Sequence, residues 1–542
     1  MCISFLSKFI LSKFILSNLY FIIKTQYLMS NFLFVSAEND AIKKCKAGGM
    51  GDVVRDVPRQ IAALGDKVSV ITPAYGRLHI GQKKIKEVEF SYRGETAKAI
   101  IYQVAPKKEI ENITHYVVHH PDIKSGNIAH IYFNDPEQPF YTDACMFSLF
   151  CSAVAESITQ NSFGKLDVVH LHDWHTSLLL FLKEYHPSYK VLQNIRFVYS
   201  IHNLAIQGIR PFKDNYSSLH AFYPELDIDY ENLKDPRYQD CINLMAVGIK
   251  LADVVHTVSP SYKEDIMKSS NFPDFIGGEG LENYLKEANK ENRLVGILNG
   301  CNYQNINLVQ HGAFYVNAIQ AIFEWLQEPE KEYKADFLIH TGEKIVRLIK
   351  EPAKFVCASV ARLTEQKFFF FKNSPELLKS ILEKLKAVNG IYVVLGTGAP
   401  EYEQLLQNIS YEYDNFVFFN GQSEEVIDSI YTESNLYLMP SLFEPCGISQ
   451  MLAMRNAQPC LVHHTGGLKD TVEHLKTGFS FNGKTIDEKN ANFLSVFSQA
   501  LKIFFEDKSQ WDTICLNAKS QKFTWQSSVK EYYKKLYKIN VK

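Results

Sequence analysis

The chain has 542 residues, 46% of them hydrophobic and 22% charged, a composition that excludes disorder over most of its length and leaves room for roughly two to four domains. Lys plus Arg is 58 against 60 for Asp plus Glu, a formal net charge of −2, which excludes the broad basic surface of a nucleic-acid-binding protein. Ten cysteines are scattered without a CxxC pair, so neither a zinc framework nor a disulfide-stapled secreted domain is indicated, and a reducing cytoplasm suits them.

In chain order, the first thirty residues stand apart. They carry a tandem LSKFI, no acidic residue, and Lys8, Lys13 and Lys24 among apolar side chains. The uncharged run Phe14 to Ile23 is shorter than the ~20 residues a spanning helix needs, and no small-residue cleavage pattern follows it. Residues 1–29 therefore read as an N-terminal appendage or over-extended start, with no stable membrane anchor expected.

From Asn31 short β-type apolar runs alternate with helical stretches, the pattern of an α/β protein. Strands are expected at Phe32–Ser36, Val68–Thr72, Leu166–Leu171, Ile195–Ile201 and Val254–Val258, with helices at Val53–Leu64, Thr176–Glu184 and Cys241–Leu251. After Asn299 the rhythm breaks, and a second alternation follows: Phe355–Ser359, Ile391–Leu395, Phe416–Phe419, Leu436–Met439 and Pro459–Val462. Two successive doubly wound sheets are the simplest account. They place a Rossmann-like domain over 30–300, a second over 301–522, and an amphipathic terminal helix over 523–542. Such sheets bind ligands at the carboxyl ends of their strands, so a central cleft faced by both domains is the expected site.

Polar and glycine-rich motifs follow strands in both halves. Lys46-Ala-Gly48-Gly49-Met-Gly-Asp lies between a strand and a helix, where glycine lets backbone approach a phosphate and a helix start offers amide donors. It is neither GxGxxG, since Val54 stands at the third glycine's place, nor a Walker A loop. A plain tight turn is the competing reading. His170-Leu-His172-Asp-Trp-His175 suggests metal ligands, but no Glu completes an HExxH and no cysteine joins, so strand-end packing is the better account. His202-Asn203 through Gln207 ends another strand in the same way. In the second half Arg362 and Lys367 place two cations after the first strand, suited to a departing diphosphate. Glu444-Pro-Cys446-Gly447 follows a later strand, and Thr465-Gly466-Gly-Leu-Lys-Asp470 reads as another phosphate cradle. A solvated, salt-bridged loop competes with each of these readings.

At these residues the chain resembles the glycogen and starch synthases of glycosyltransferase family 5. KAGGMGDVVRDVP, HLHDWHT, IHNLAIQG, HTVSPSY, GGEGL, GILNG, RLTEQK, LGTG, FEPCGISQ, HTGGLKDTV and FTWQSSVKEYY follow in the family's order, from about Asn31 to the C-terminus. The resemblance implies a GT-B fold and retaining transfer of glucose from ADP-glucose to the non-reducing end of an α-1,4-glucan, without metal or other cofactor. It implies that Lys46 with Gly48 and Gly49 binds the donor diphosphate, that Arg362 and Lys367 neutralise the leaving ADP, and that Glu444 binds glucose hydroxyls beside Cys446 and Gly447. Asp143 matches the family's cleft aspartate, and His175 would steady an oxocarbenium ion through its carbonyl. Tyr132, Asn203, Asn299, Thr465 and Gly466 complete the implied substrate-binding set. Partners are then a nucleotide sugar and an α-glucan, with no nucleic acid.

The chain departs from the family pattern at Ala47, Met146, Cys301-Asn302, Ile306, Phe368 and Ala399, changes that bear on acceptor choice and turnover. A UDP-glucose-using or other retaining GT-B transferase, a catalytically dead glucan-binding relative and a nicotinamide oxidoreductase are the competing readings, the last disfavoured by the missing GxGxxG.

Overall fold

The computed structural model describes residues 29–226, 228, 231–303, 312–328 and 334–540. The expected appendage up to residue 28 and Ile306 lie outside the described residues. The chain forms two compact units: one holds the residues up to Ser200, Gln207–Val254 and Val529–Lys542, the other Ile201–Ile206 and Val255–Ser528. This division falls earlier in the chain than the 300/301 boundary read from the sequence.

In the first unit β1 (Asn31–Val35), β2 (Lys67–Pro73), β3 (Lys83–Tyr92), β4 (Glu95–Val104), β5 (Ile113–His119), β6 (Val168–His172) and β7 (Arg196–Ile201) run side by side in the order β7-β6-β1-β2-β5-β4-β3. The first four of that order and β5 are parallel, and β3 and β4 add an antiparallel edge. Parallel strands covered on both faces need apolar side chains in both directions, and Phe32 to Val35 are accordingly fully buried. The hairpin β3–β4 turns at Arg93 and Gly94, with φ of 58° and 74°, the left-handed pair that matches strand twist. β8 (Ile209–Pro211) and β9 (Cys241–Asn243) form a small antiparallel pair, so the expected helix Cys241–Leu251 begins only at Leu244, capped by the Asn243 side chain.

The chain's last residues complete this unit. Tyr533 donates to Asp66 at 2.5 Å, Tyr537 bonds His170 at 3.0 Å, and both rings pack on Phe32 with centroids 5.9 and 5.0 Å away. The Leu536 carbonyl accepts from Arg196 Nε at 2.7 Å.

In the second unit β10 (Val254–Thr257) pairs in parallel with β11 (Leu294–Gly296). β12 (Phe355–Val360), β13 (Gly390–Leu395), β14 (Phe416–Phe419), β15 (Leu436–Met439), β16 (Cys460–His463) and β17 (Gly478–Phe481) form an all-parallel sheet in the order β14-β13-β12-β15-β16-β17. The Phe368–Phe371 run lies in the helix Glu365–Asn373, and all four rings are buried in the core between this sheet and its flanking helices. Each sheet reverses its winding once, at β1/β6 and at β12/β15. Loops leaving the carboxyl ends of those strand pairs are the expected ligand sites of such sheets. Among the described residues no helix is long and apolar enough to cross a membrane, and no disulfide forms.

Lys344, on the helix Ala335–Lys350, is buried and donates to the carbonyls of Ser410, Tyr413 (2.8 Å) and Phe416 (2.8 Å), closing the end of the helix Pro400–Glu412. Burial lowers its ammonium to about 8. Lys344→Met leaves these acceptors unsatisfied and is expected to cost about 2 kcal/mol, read as a lower denaturant midpoint; an unshifted midpoint would refute the capping role.

Candidate active site

In the first unit the site residues gather after β1, β5 and β6. β1 runs out through Ser36 and Ala37 to Glu38, which is 4% exposed. Its Oε2 accepts the amides of Ala47 and Gly48 at 2.7 and 2.6 Å. The inner amides of the glycine loop, read from the sequence as phosphate donors, are therefore occupied by the protein's own carboxylate. What the loop turns outward is the half-exposed Lys46 and the exposed Gly49, the first residue of the helix Gly49–Ala63. Gly51 has to be small: a Cβ there would stand 3.3 Å from Glu38 Oε2 and 3.1 Å from Lys46 Cγ.

Lys46 bonds Asp52 at 2.7 Å and lies 3.9 Å from Asp40, within a network that also holds Arg55 and Lys107. Burial alone would raise the Asp40 carboxyl, but Lys46, Lys107 and Arg55 outweigh it and hold it below its ordinary value.

Tyr132 donates to the other oxygen of Glu38 at 2.8 Å, and its ring lies 5.2 Å from that of His175. The next residue, Phe133, donates its amide to Asp143 Oδ1 at 3.1 Å. Asp143 opens the helix Tyr141–Thr159 and is 4% exposed. Burial raises its carboxyl to about 7, opposed by the Phe133 amide and assisted by Asp135. His175 sits in the short turn Trp174–Thr176 after β6, between Phe147 and Trp174. Its carbonyl oxygen, to which the resemblance assigns an oxocarbenium ion, accepts the Cys151 thiol at 3.5 Å. Lys46, Gly48, Gly49, Tyr132, Asp143 and His175 are thus linked through Glu38 and the segment 132–133. Nothing in the sequence marks Glu38, a lone acid eight residues before Lys46 with no pattern around it.

The remaining histidines of the HxHxxH motif are packing residues. His170 bonds Tyr537 and Ser200 Oγ (2.7 Å), and His172 stacks on it at 4.5 Å. Among the described residues no group of three His, Cys, Asp or Glu side chains is placed to hold a metal ion.

In the second unit the site residues gather on loops after β12 and β15. Lys367, in the first turn of the helix Glu365–Asn373, pairs with Glu444 Oε2, which also accepts Ser441 Oγ at 2.9 Å. Glu444 is 5% exposed, and the turn before it is held by buried His463, whose Nδ1 meets the Ser441 carbonyl at 2.9 Å. Arg362 is exposed and lines one pocket with Lys367, Phe368, Tyr392, Tyr437 and Ser441. Phe368, where the family pattern has glycine, forms part of that wall and of the core beneath it.

Cys446 is buried, which pushes its thiol up, and the Asn299 amide donates to the Val258 carbonyl at 3.2 Å. Gly447 needs its φ of +77° and leaves no room for a Cβ, which would meet Gln450 Oε1 at 2.4 Å. Asn203 uses its side-chain oxygen locally, accepting the Ala205 amide at 3.1 Å.

The Thr465–Asp470 turn does not form an open phosphate cradle. Gly466 donates to the buried Asp265 at 3.1 Å, Gly467 to the Glu444 carbonyl at 3.0 Å, and Leu468 to the Thr465 carbonyl at 3.0 Å. A Cβ on Gly466 would fall 1.9 Å from that same Glu444 carbonyl. The turn thus grips the backbone of the Glu444 loop. Lys469 bonds both oxygens of Asp265 at 3.2 Å, and Asp470 accepts Ser261 N and Oγ at 2.9 and 2.8 Å.

A family model described as starch synthase catalytic domain matches residues 31–287, and one described as glycosyl transferases group 1 matches residues 343–503. Glycogen synthase of Bacillus anthracis is 31% identical over 527 residues, covering 94% of this chain and 99% of the relative. That of Caldicellulosiruptor saccharolyticus is 32% identical over 515 residues, covering 93% and 98%. The solved catalytic domain of starch synthase IV from Arabidopsis thaliana, bound to ADP and acarbose, is similar with a TM-score of 0.73 at 23% identity, covering 94% of this chain and 99% of that one.

The Asp143 carboxyl titrates at about 7 in the fold and near ~4 unfolded, so the folded chain binds its proton more tightly and stability falls as pH rises between those values. Asp143→Asn is expected to flatten the loss of stability between pH 5 and pH 8 by about 1–3 kcal/mol. Unfolding curves at both pH values check this, and an unaltered slope would mean a carboxyl ionised throughout.

Proposed function

This chain belongs to the glycogen and starch synthase family of GT-B glycosyltransferases, and we propose that its donor is ADP-glucose and its acceptor the non-reducing end of an α-1,4-glucan. The observation that carries this reading is the group after β12 and β15: Lys367 paired with Glu444, and Arg362 exposed on the wall of the same pocket. A nucleoside diphosphate leaving an anomeric carbon develops negative charge on its phosphate oxygens, and two placed cations stabilise that charge in the transition state. Glu444, fixed by Lys367, Ser441 and the Gly466–Gly467 turn, is the acceptor group suited to sugar hydroxyls. The solved starch synthase IV domain is bound to ADP and acarbose, and the proposed ligands are of that kind.

Retention follows if the glucan hydroxyl attacks the anomeric carbon on the face from which the diphosphate departs. The C–O bond to the phosphate breaks, the new glycosidic bond forms, and the hydroxyl proton passes to the departing phosphate oxygen. Arg362 and Lys367 take the charge of that group as it leaves. No step is assigned to a metal, because these two side chains supply the cationic charge. In the first unit Lys46 and Gly49 are the groups turned outward to meet an anion, while Asp143 and His175 serve on the side of the reacting sugar.

Glucose incorporation into glycogen should be faster from ADP-glucose than from UDP-glucose, and should persist in excess chelator. Faster transfer from UDP-glucose would overturn the donor assignment, and loss of activity on chelation would require a metal. Arg362 makes no ion pair among the described residues, so Arg362→Ala should leave the melting temperature unchanged while lowering kcat about 10²–10³-fold. Lys367→Ala should lower kcat at least as far, with some loss of stability from the unpaired Glu444. Wild-type kcat in both variants would remove the cations from the reaction.

A further inference from the structure

We propose that Glu38 is a positioning residue for the transfer reaction, holding the Lys46–Gly49 loop and Tyr132 in the arrangement that the donor meets. This rests on the reading of the chain as a nucleotide-sugar glucosyltransferase, and it concerns a residue that takes no part in that reading's chemistry.

The peptide group entering Glu38 is held at both its polar atoms. Its amide donates to Ser36 Oγ at 3.1 Å, and the preceding Ala37 carbonyl accepts Tyr75 Oη at 2.6 Å. From this base the carboxylate accepts three donors, Ala47 N, Gly48 N and Tyr132 Oη, at 2.7, 2.6 and 2.8 Å. All three are charge-assisted bonds at a site 4% exposed, where the low local dielectric strengthens them.

The consequence for the loop is directional. With the amides of residues 47 and 48 turned inward, the chain at Lys46 and Gly49 faces out, and a Cβ added at Gly51 would crowd the carboxylate at 3.3 Å. The second oxygen ties this loop to Tyr132, whose segment is closed on itself by the Ile128–Tyr132 bridge and anchored at Phe133 by Asp143. One buried carboxylate therefore joins the loop after β1 to the segment that packs on His175. Without it, two loop amides lose their acceptor, and the loop is free to turn them outward. A displacement of about 1 Å at a reacting group can cost about 100-fold in rate.

The test compares Glu38→Ala, Glu38→Gln and Tyr132→Phe in the full chain. The readings are kcat and KM for ADP-glucose, KM for a maltooligosaccharide acceptor, affinity for ADP and the melting temperature. Glu38→Ala is expected to lower kcat/KM for the donor about 100-fold and to weaken ADP about 10-fold, with acceptor KM within about threefold of wild type. Glu38→Gln keeps an oxygen for both amides and should recover about tenfold of that loss, while Tyr132→Phe, which removes only one of the three donors, should lower donor kcat/KM by less than Glu38→Ala. The proposal is overturned if both Glu38 variants keep wild-type donor kcat/KM and ADP affinity. It is equally overturned if activity falls only in step with the folded fraction and Gln does no better than Ala. Should Glu38→Ala fail to fold, Glu38→Gln decides by the same two readings against wild type. A wild-type chain that transfers no glucose counts against the proposed function, and the ADP comparison still decides the role of Glu38.

Discussion

Parallel strands cannot be joined by a hairpin; each needs a crossover, and crossovers in one sheet share a hand. A sheet that winds outward from its middle must therefore reverse once, and at the reversal two adjacent strands send their following loops to opposite sides. In this protein the reversals fall at β1/β6 and β12/β15. The Lys46 loop and His175 leave one pair, and Lys367 and Glu444 leave the other. Within each unit the chemistry-bearing side chains, 129 residues apart for Lys46 and His175 and 77 for Lys367 and Glu444, come onto adjacent strand ends through this constraint.

Loops placed there carry a cost. Tight glycine turns expose backbone donors that are buried and must be paired even before any ligand arrives. The protein meets this with its own oxygens: Glu38 takes the amides of Ala47 and Gly48, Asp265 that of Gly466, and the Glu444 carbonyl that of Gly467. Glycine in these motifs thus serves close backbone packing as much as ligand approach. On the proposed function, recognition of anions falls to side-chain cations. Lys367 is held by Glu444 and Lys46 by Asp52, whereas Arg362 stands without an ion pair among the described residues.

The buried parallel strands were legible because they are continuous apolar runs bounded by polar turns: β14 and β15 were read to the residue, and β1, β7, β12, β13 and β16 to within one. The edge hairpin β3–β4 carries no such continuous apolar run. Its faces alternate, as in Lys-Glu-Val-Glu-Phe-Ser-Tyr, and its turn uses Arg-Gly rather than Asn-Gly. The helix start at Gly49 was placed late because glycines rank low as helix formers, although Gly49 and Gly51 sit in its first turn. In the site, residues belonging to a patterned motif were visible, whereas Glu38 and Asp265 were not. A single acid that bonds a loop elsewhere leaves no periodic trace. The chain between the two family-model matches, residues 288–342, includes the stretch after Asn299 where the strand–helix rhythm breaks. The helices Ala313–Leu326 and Ala335–Lys350 are fixed by packing and by Lys344 rather than by any motif.

The terminal tyrosines give the chain an order of assembly. The first unit's strands are made early, yet Phe32, Asp66 and His170 wait for Tyr533 and Tyr537, which follow the whole of the second unit in the chain. Until then the cover over β1 and β6 is missing, and the nascent chain carries an apolar opening through the whole synthesis of the second unit. The unit whose strands come earlier is completed only once the other has been made, so emergence of its sheet is not the step at which this half of the protein closes.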